Sequence, residues 1–570
     1  MSTWSRAVSF LFGTGNREND TTHVKDVELA VFGKETRDLL VIFKRHSTDN
    51  ERLKQESLRN ALENIGLYPS ASQVCEMVCC ARGTSDLSDR DYLTFGEFCV
   101  LTADLLGQYQ NKPTLPMPLS QNLDRRILQE CRTKRAGNVA HFQVFLGGSC
   151  NPTTWRRDEA IPFLKEHDIT FYNPQVSHWS PELIELEDQA KQVADLLFFV
   201  IDNQTRATAS RVEVAYLVGC GRQIIVVLKD YEGPGVVVNG EQISSCEFRH
   251  LQQCQAVLTD LLERLSVPVY HSTEQALDGI VTCIRQGMKV QELGTGHRGH
   301  PVKYGHLTVG LELLRLRNIF NSFDSNNMGK LSIQEVCLAY RCCMMDTLDS
   351  HWLSRLKGSD KATFTFEEFC CLMTERRLSQ HRSVLKSVFH KFVNGVKWLF
   401  GQSSEEQKPK SNILEPKDVF LGGSFKDNDW RENIAIPTLR KHGLTYASPQ
   451  APDEEWIAHL APSEAVLRES CRLMLYVMGD SSRGCASLIE AGYYVGQGCN
   501  MVLCIKNLQD GVVIDGEKLT TEAVKDYNRS RMYLSDIANR EGVPLFDNIE
   551  EALACVVEKS KEIRTQSETS

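Results

Sequence analysis

The chain has 570 residues, of which 42% are apolar and 24% charged, and a formal net charge of −10. This length is too great for one hydrophobic core and predicts about four domains. The composition is that of a globular protein. The negative charge disfavours a nucleic acid partner, because proteins that bind the phosphate backbone usually carry a basic surface.

The 20 cysteines are scattered, and none forms a CxxC pair with the spacing of a zinc site. Free thiols in a reducing cytosol explain this usage. The first residues, MSTWSRAVSFLFGTG, are too polar for a secretory signal. No apolar run reaches the roughly 18 residues of a spanning helix. We therefore expect a cytoplasmic protein without a spanning segment or an organic cofactor.

Residues 1–25 are predicted to be a flexible terminus, and residues 26–112 keep the apolar pattern of paired EF-hand helices. An EF-hand loop places oxygen ligands at positions 1, 3, 5, 7, 9 and 12, with Gly at position 6. Arg90 and Asp91 occupy positions 5 and 6 here. Positions 1, 3 and 12 fit better, with Asp86, Ser88 and Glu97. The sequence predicts a degenerate pair with little affinity for calcium.

Residues 305–380 contain a better loop, FDSNNMGKLSIQE. Gly329 lies at position 6, but Met328 stands at position 5, where an oxygen ligand belongs. The other candidate ligands, with Lys330 acting through its backbone carbonyl, are Asp324, Asn326, Lys330, Ser332 and Glu335. The partner loop has Lys357 at position 1 and should hold no cation. Either weak calcium binding or a structural pair without metal is expected.

Residues 381–402 include VLKSVFHKFVNGVKWLF, a basic amphipathic helix with Phe389, Phe392 and Leu399 near one face. Such helices dock into grooves of calmodulin-like modules or lie on membrane surfaces. More often the apolar stripe is packed core. The sequence therefore leaves three alternatives for this helix: binding to a protein partner, docking within the chain, and burial in a core.

Residues 140–290 and 415–562 are two copies of one domain, here called the first copy and the second copy. VFLGGSC begins at Val144 and VFLGGSF at Val419, an offset of 419 − 144 = 275. The same offset aligns a Trp-Arg pair. With two residues inserted in the second copy, a Glu-x-x-Tyr-x-x-Gly segment also aligns. The repeat suggests that the two copies could pair within the chain, like a built-in dimer.

Within each copy, short apolar runs such as LLFFVI alternate with helical patterns. This alternation predicts βαβ units and a parallel sheet of about five strands, with a site in the crevice at the carboxyl ends of the strands. The predicted fold class is therefore α/β plus all-α. Two doubly wound parallel-sheet domains alternate with two EF-hand-like helical modules.

A first strand ending in Gly-Gly, followed later by Glu-x-(Gly or Ala)-Tyr-x-x-Gly, resembles the nucleoside 2-deoxyribosyltransferase superfamily, which also contains deoxynucleotide N-hydrolases. The resemblance implies a flavodoxin-like domain. It also implies a nucleophile at Glu213 in RVEVAYLVG and at Glu490 in LIEAGYYVG. The family has a second acid 26 residues upstream, and both of these positions are Glu, at Glu187 and Glu464.

The chemistry implied is glycosyl transfer, in which one carboxylate attacks the anomeric carbon and a second acid protonates the departing base. The catalytic candidates are Glu213, Glu187, Glu490, Glu464, Asp202 and Asp480. The candidates for substrate binding are Gly147, Gly148, Trp155, Arg156 and Tyr216 in the first copy, and Gly422, Gly423, Trp430, Arg431 and Tyr493 in the second. The arginines could meet a phosphate or pair with a neighbouring acid.

Two departures from the family leave the activity open. The family's first-strand Tyr is Phe145 and Phe420, and an Asp six residues before the nucleophile is Ala207 and Gly484. Hydrolysis, another sugar, or binding without turnover are alternatives. Each motif Glu could also be an acid in the first turn of a helix, favoured there by the helix dipole.

The leading interpretation is a nucleoside or nucleotide N-glycosidic-bond enzyme modulated by calcium. The alternative is a non-catalytic calcium- or nucleotide-responsive scaffold with pseudoenzyme domains. Because Asp202 has no aligned acid in the second copy, we expect the first copy to carry the chemistry.

Overall fold

The structure is a computed structural model. It describes residues 33–47, 52–83, 91–111, 114–121, 132, 140–175, 182–294, 300–344, 346–359, 361–393, 416–424, 430–449 and 461–569. The chain forms two compact units. One unit combines Met1–Thr114 with Leu307–Asn412, and the other combines Leu115–His306 with Ile413–Ser570. The two helical modules therefore share one unit, and the two α/β copies share the other.

Within the described residues, the first helical module has four helices and a short antiparallel ladder. In chain order its elements are α1 (Lys34–His46), β1 (Leu53–Lys54), α2 (Gln55–Glu63), α3 (Ala71–Gly83), β2 (Tyr92–Leu93) and α4 (Phe95–Gln110). Leu53 pairs with Leu93 across the ladder. Thr94 and Glu97 cap α4 reciprocally, which satisfies two backbone donors at its start.

The first copy is a five-stranded parallel sheet between helices. Its elements are β3 (Val144–Gly148), α5 (Ile161–Glu166), β4 (Phe171–Tyr172), α6 (Glu182–Val193), β5 (Leu196–Ile201), α7 (Thr208–Gly219), β6 (Ile224–Leu228), the hairpin β7 (Val237–Val238) and β8 (Glu241–Gln242), α8 (Ser245–Arg264), β9 (Val269–Tyr270) and α9 (Thr273–Gln286). The strand order β4-β3-β5-β6-β9 is the flavodoxin-like order. Every residue of β5 is buried, as its unbroken apolar run predicts.

The second helical module repeats the plan of the first. It contains α10 (Leu311–Phe323), β10 (Lys330–Ser332), α11 (Ile333–Met344), α12 (Ser350–Lys357), β11 (Thr363–Thr365) and α13 (Phe366–Val393). Leu331 pairs with Phe364, so the eighth positions of the two loops meet. Within the helical unit, Glu375 of α13 accepts hydrogen bonds from the backbone and hydroxyl of Thr36 on α1. The two modules thus pack together through buried polar contacts.

The second copy repeats the sheet of the first. Its elements are β12 (Lys417–Gly423), α14 (Ile436–Lys441), β13 (Tyr446–Ala447), α15 (Ala461–Glu469), β14 (Cys471–Met478), α16 (Cys485–Gly496), β15 (Met501–Ile505), the hairpin β16 (Val513–Ile514) and β17 (Glu517–Lys518), α17 (Thr521–Glu541), β18 (Leu545–Phe546) and α18 (Ile549–Thr569). The strand order β13-β12-β14-β15-β18 matches that of the first copy. The two doubly wound sheets are therefore as predicted.

The two copies pair within the chain, and the pairing is centred on the crossing of α7 and α16. A Cβ atom on Gly219 would collide with the carbonyl oxygen of Tyr493, and one on Gly496 would collide with that of Tyr216. The contact is therefore reciprocal. The glycine of the Glu-x-x-Tyr-x-x-Gly segment is explained by this close approach of two helices.

Replacing the glycine at the crossing should separate the helices. We expect Gly219→Ala to lower the free energy of unfolding of the α/β unit by about 1–3 kcal/mol, the usual cost of overpacking. Gly107→Ala in α4 is the control, because a Cβ there meets nothing within 4 Å. It should raise helix stability by about 0.5–1 kcal/mol. Urea unfolding compares the two, and an unchanged stability of Gly219→Ala would contradict the close crossing.

Some sequence predictions fall on residues outside those described. These are the terminus 1–25, the loop residues Asp86 and Ser88, and residues 394–402 of the basic helix. Residues 381–393 continue α13 as helix. Among the helices described, none combines the length and the hydrophobicity of a membrane-spanning segment.

Candidate functional site

The Gly-Gly segment ends the first strand of each copy where neighbouring strands leave no room for a side chain. Gly148 has φ +100° and Gly423 has φ +112°, in the left-handed region that favours glycine. A Cβ on Gly148 would collide with the backbone of Val200, and one on Gly423 with that of Val477. These glycines shape the floor of the crevice at the carboxyl ends of the strands.

Glu213 lies on α7, where a buried lysine and a tyrosine of the other copy contact its carboxylate. Lys191 of α6 forms an ion pair with Glu213 Oε1. The hydroxyl of Tyr533, on α17 of the second copy, donates to the same oxygen at 2.7 Å. Lys191 also donates to the Tyr533 hydroxyl at 3.2 Å. The second copy thus supplies one wall of the site of the first.

Glu187 shares the same lysine, since its Oε2 lies 3.9 Å from Lys191 Nζ. Burial raises the pKa of the Glu187 carboxyl, and the charge of Glu213 raises it further, while Lys191 and Arg156 act against this. The structure therefore brings the predicted pair together around one ammonium group. The environment of the Glu187 carboxyl thus favours its protonated form.

Glu490 occupies the matching place on α16, with an arginine in place of the lysine. Arg468 Nη2 of α15 donates to Glu490 Oε1 at 2.8 Å, and the hydroxyl of Tyr476 donates to Oε2 at 3.2 Å. Arg468 lies four residues after Glu464, as Lys191 lies four residues after Glu187. Both copies thus have the same three groups in the same order: an upstream Glu, a buried cation four residues later, and the Glu of the Glu-x-x-Tyr-x-x-Gly segment.

The cavity beside Glu490 has a volume of about 10 Å³, which is about the space of one water molecule. Residues of both copies enclose it: Val257, Asp260, Leu261, Arg264, Glu464, Ala465, Arg468 and Glu490. Helix α8 of the first copy therefore covers this part of the second site.

One tyrosine hydroxyl reaches the motif acid in each copy, but from different positions. Tyr476 lies opposite Gly422 on β14, and the residue opposite Gly147 on β5 is Phe199. Conversely, Tyr533 of α17 aligns with Val257 of α8, because 533 − 257 = 276 is the offset of this region. In the second copy the neighbouring strand supplies the hydroxyl donor, and in the first copy the other copy supplies it.

The side chains of Arg156 and Arg431 hold the loop that follows the first strand. Arg156 donates to the backbone carbonyls of Leu146, Gly148 and Ser149 at 2.7–3.2 Å. Arg431 makes the same three contacts in the second copy. The adjacent Trp155 donates from Nε1 to the Ser149 carbonyl at 2.9 Å. This geometry favours a structural role over phosphate binding.

The motif tyrosines take part in the pairing of the copies. Tyr216 donates its hydroxyl to Glu541 of α17 at 2.8 Å. Tyr493, its counterpart, accepts a hydrogen bond from Gln497 Nε2 at 3.1 Å. Tyr216 thus contacts the other copy through its hydroxyl. Gln497 belongs to the same copy as Tyr493, which reaches the crossing through its backbone carbonyl beside Gly219.

The contacts described for the two supplementary acids do not involve the paired carboxylates. Asp202 follows β5 and forms an ion pair with Lys229 at 2.9 Å, while also accepting from the backbone of Gln204. Asp480 is exposed in the loop after β14. The described contacts of Asp202 organise this loop and do not reach Glu213.

The helix-dipole alternative for the motif acids is wrong. Helix α7 begins at Thr208 and α16 at Cys485, and neither helix has an acid in its first turn. Glu213 and Glu490 lie one turn further on, beyond the range in which the dipole acts strongly.

The Asp324 loop is folded around its own acids. Asp324 accepts backbone hydrogen bonds from Met328 at 3.0 Å and Gly329 at 2.7 Å, and Glu335 accepts from Ser332. The side chain of Met328 is exposed. The loop therefore offers carboxylates at both ends but no oxygen from the side chain at position 5, which fits a weak calcium site at most.

The partner loop contains its own positive charge. Lys357 at position 1 forms an ion pair with Glu368 at position 12. The ammonium group occupies the end of the loop where the bidentate acid of an EF-hand would bind calcium.

Sequence reasoning missed Lys191, Arg468 and Tyr533. A basic residue four positions after each upstream Glu was visible in the sequence, and that spacing places two side chains on one helix face. Nothing in the sequence indicated Tyr533, because its contact depends on how the copies pair.

A family model described as nucleoside 2-deoxyribosyltransferase like matches residues 141–231 and again residues 416–508. The class of protein defined by fold and site is thus one with tandem α/β domains similar to this family. The matched segments contain Glu187 and Glu213 in the first copy, and Glu464 and Glu490 in the second. Neither the curated proteins nor the solved structures include a match to the chain.

Proposed function

We propose that the first copy is an enzyme that cleaves or transfers the N-glycosidic bond of a nucleoside or nucleotide. The observation that carries this proposal is the ammonium group of Lys191 between Glu187 and Glu213. Two carboxyl groups with different environments are the arrangement that glycosyl transfer requires. The resemblance of the first copy to the nucleoside 2-deoxyribosyltransferase family suggests a nucleoside or nucleotide as the substrate.

In this mechanism Glu213 attacks the anomeric carbon, and Glu187 gives its proton to the departing base. Lys191 and Tyr533 fix the position of the Glu213 carboxylate. As the bond to the sugar forms, Glu213 loses its negative charge, and Lys191 remains beside the newly ionised Glu187. The ammonium group is thus placed to compensate whichever acid carries the charge.

The second copy has a structural role in this proposal. Arg468 and Tyr476 each bond one carboxylate oxygen of Glu490, and helix α8 encloses the cavity beside it. Its α17 meanwhile contributes Tyr533 to the first site. The duplication then supplies in one chain the wall that a second subunit would provide.

The test is a turnover assay with deoxynucleosides, their monophosphates and NAD, in which the released base is measured. We expect release from at least one substrate. No release above that of the double variant Glu213→Gln, Glu490→Gln would contradict an enzymatic role.

A non-catalytic, nucleotide-responsive scaffold is the second candidate. The observation in its favour is that each motif Glu is already paired with a buried cation, so that a ligand must compete with an ion pair. It predicts heat of binding in calorimetry with the same substrates, but no released base. Product formation would exclude it.

We further propose that the Asp324 loop binds calcium weakly and modulates the protein. We expect a calorimetric titration with calcium to show one weak site in the full chain. Asp324→Ala should abolish it, because position 1 supplies a carboxylate ligand. Asp346→Ala, which removes an exposed acid outside the loop, should leave it unchanged. A flat titration up to millimolar calcium would contradict the site.

A further inference from the structure

Three side chains of different ligand types meet where α8 of the first copy approaches the β16–β17 hairpin of the second. Cys246, His250 and Asp515 each offer one ligand atom, and these atoms lie within 4.8 Å of one another. His250 Nε2 is 2.9 Å from Asp515 Oδ2, and the Cys246 thiol donates to the same oxygen at 3.3 Å. We propose that these residues bind one zinc ion across the two copies.

The backbone presents all three donors toward one point. Cys246 and His250 are four residues apart on α8, so they lie on one helix face. Asp515 has φ +54°, a left-handed conformation at the tip of the hairpin. Thiolate, imidazole and carboxylate are the donors that zinc takes in proteins, at about 2.0–2.3 Å. Ligand atoms around a tetrahedral zinc lie roughly 3.3–3.8 Å apart, so the contact between His250 and Asp515 must lengthen slightly to admit the ion.

A cavity next to the cluster leaves room for a fourth ligand. It has a volume of about 30 Å³ and is lined by His250 and Asp515 together with Ser424, Ser482 and Ser487. This is enough space for a water molecule, and its walls offer hydroxyl groups as partners. Three protein ligands and one water are the coordination of an open zinc site.

Arg483 is the group that competes with a cation here. Its Nη1 donates to Asp515 Oδ2 at 3.1 Å and lies 3.8 Å from Cys246 Sγ. Its Nη2 donates to Glu517 at 2.9 Å, so the guanidinium keeps an acidic partner when zinc takes Asp515. With zinc bound to a Cys246 thiolate, the charges of Arg483, Asp515 and Glu517 are balanced. Binding therefore releases one proton from the thiol.

The matching place on the other side of the pair lacks these donors. The offset of 276 aligns Cys246 with Glu522, His250 with Asp526 and Asp515 with Asn239. There, Asn239 donates to Asp526 at 2.6 Å, and Glu522 forms an ion pair with Lys525. The thiol and the imidazole occur at one of the two related places only, so the duplication provides an internal control.

The test is a titration of the full-length, reduced and chelator-treated protein with zinc chloride, with metal content measured by mass spectrometry. We expect one equivalent to bind with release of a proton. Cys246→Ser and His250→Gln should each weaken binding at least about tenfold, since even the loss of an outer partner costs 10–100-fold. Glu522→Gln and Cys342→Ser, which change the aligned position and an exposed thiol, should bind as wild type does.

A second measurement uses the unmodified protein and so does not depend on how a variant folds. Zinc should slow the alkylation of Cys246 by iodoacetamide at least about tenfold, because a thiolate bound to metal is a weak nucleophile. Peptide mass spectrometry compares Cys246 with Cys342. Equal alkylation of Cys246 with and without zinc, or zinc binding unaffected in both ligand variants, would overturn the proposal.

Discussion

Glu213→Gln should reduce base release by about 10³-fold, whereas Glu490→Gln should leave it within about twofold of wild type. The first change removes the nucleophile from a site where a positioned carboxyl group contributes about 10²–10⁴-fold. The second change affects an acid whose adjacent cavity has room for about one water molecule and is enclosed by residues of α8. The two variants are matched, because each replaces an acid beside a buried cation. Equal loss from both would contradict the division of roles between the copies.

The pH profile of the same assay should show a limb on which activity falls as pH rises, and this limb belongs to Glu187. Its pKa is raised, so activity that needs its proton falls as pH rises through that value. The free energy of unfolding should change with pH in the same direction, because the folded state holds this proton more tightly than the unfolded state does. Its contribution is present below the ordinary value of 4.5 and is lost as pH rises to the raised pKa. Glu187→Gln should remove the limb, and its persistence would argue for another acid.

Arg468→Met should have the largest effect on stability. Arg468 is 4% exposed and bonded to Glu490, so its removal leaves a carboxylate in a largely buried place without its cation. Breaking a buried pair in this way costs about 3–5 kcal/mol. Urea unfolding followed by circular dichroism measures the change.

The double variant Arg468→Met, Glu490→Gln identifies the cause. With both charges removed, much of the loss should be recovered, because the cost lies in the unpaired charge rather than in the missing contact. Lys525→Met, which breaks the exposed pair with Glu522, should show no measurable change. A double variant as unstable as Arg468→Met alone would point to packing instead of charge.

The architecture of the α/β unit followed from the sequence because its signals are local or repeated. Buried parallel strands must be apolar on both faces, so LLFFVI was recognisable as β5. The repeated Glu, Tyr and Gly fixed the alignment of the copies. The pairing of Glu187 with Glu213 came from the family resemblance, and the structure explains it by their shared contact with Lys191.

The features that could not be predicted depend on contacts between distant parts of the chain. Tyr533 and Glu213 are 320 residues apart, and no local pattern connects them. Cys246 and Asp515 also meet only because the copies pair. For the arginines after the first strand, the sequence leaves phosphate binding and pairing with a neighbouring acid open, because a cation near a helix start suits both roles. Their bonds to backbone carbonyls became visible only in the fold.

The most direct test of this account is a crystal structure of the chain with a deoxynucleoside monophosphate. We predict the sugar in the first copy, with its anomeric carbon facing Glu213, the base within reach of Glu187, and Tyr533 of the second copy in contact with the site. The second site should remain without ligand, closed by α8. A ligand bound beside Glu490 with the first site empty, or one bound away from both pairs of carboxylates, would contradict the proposed role of the first copy.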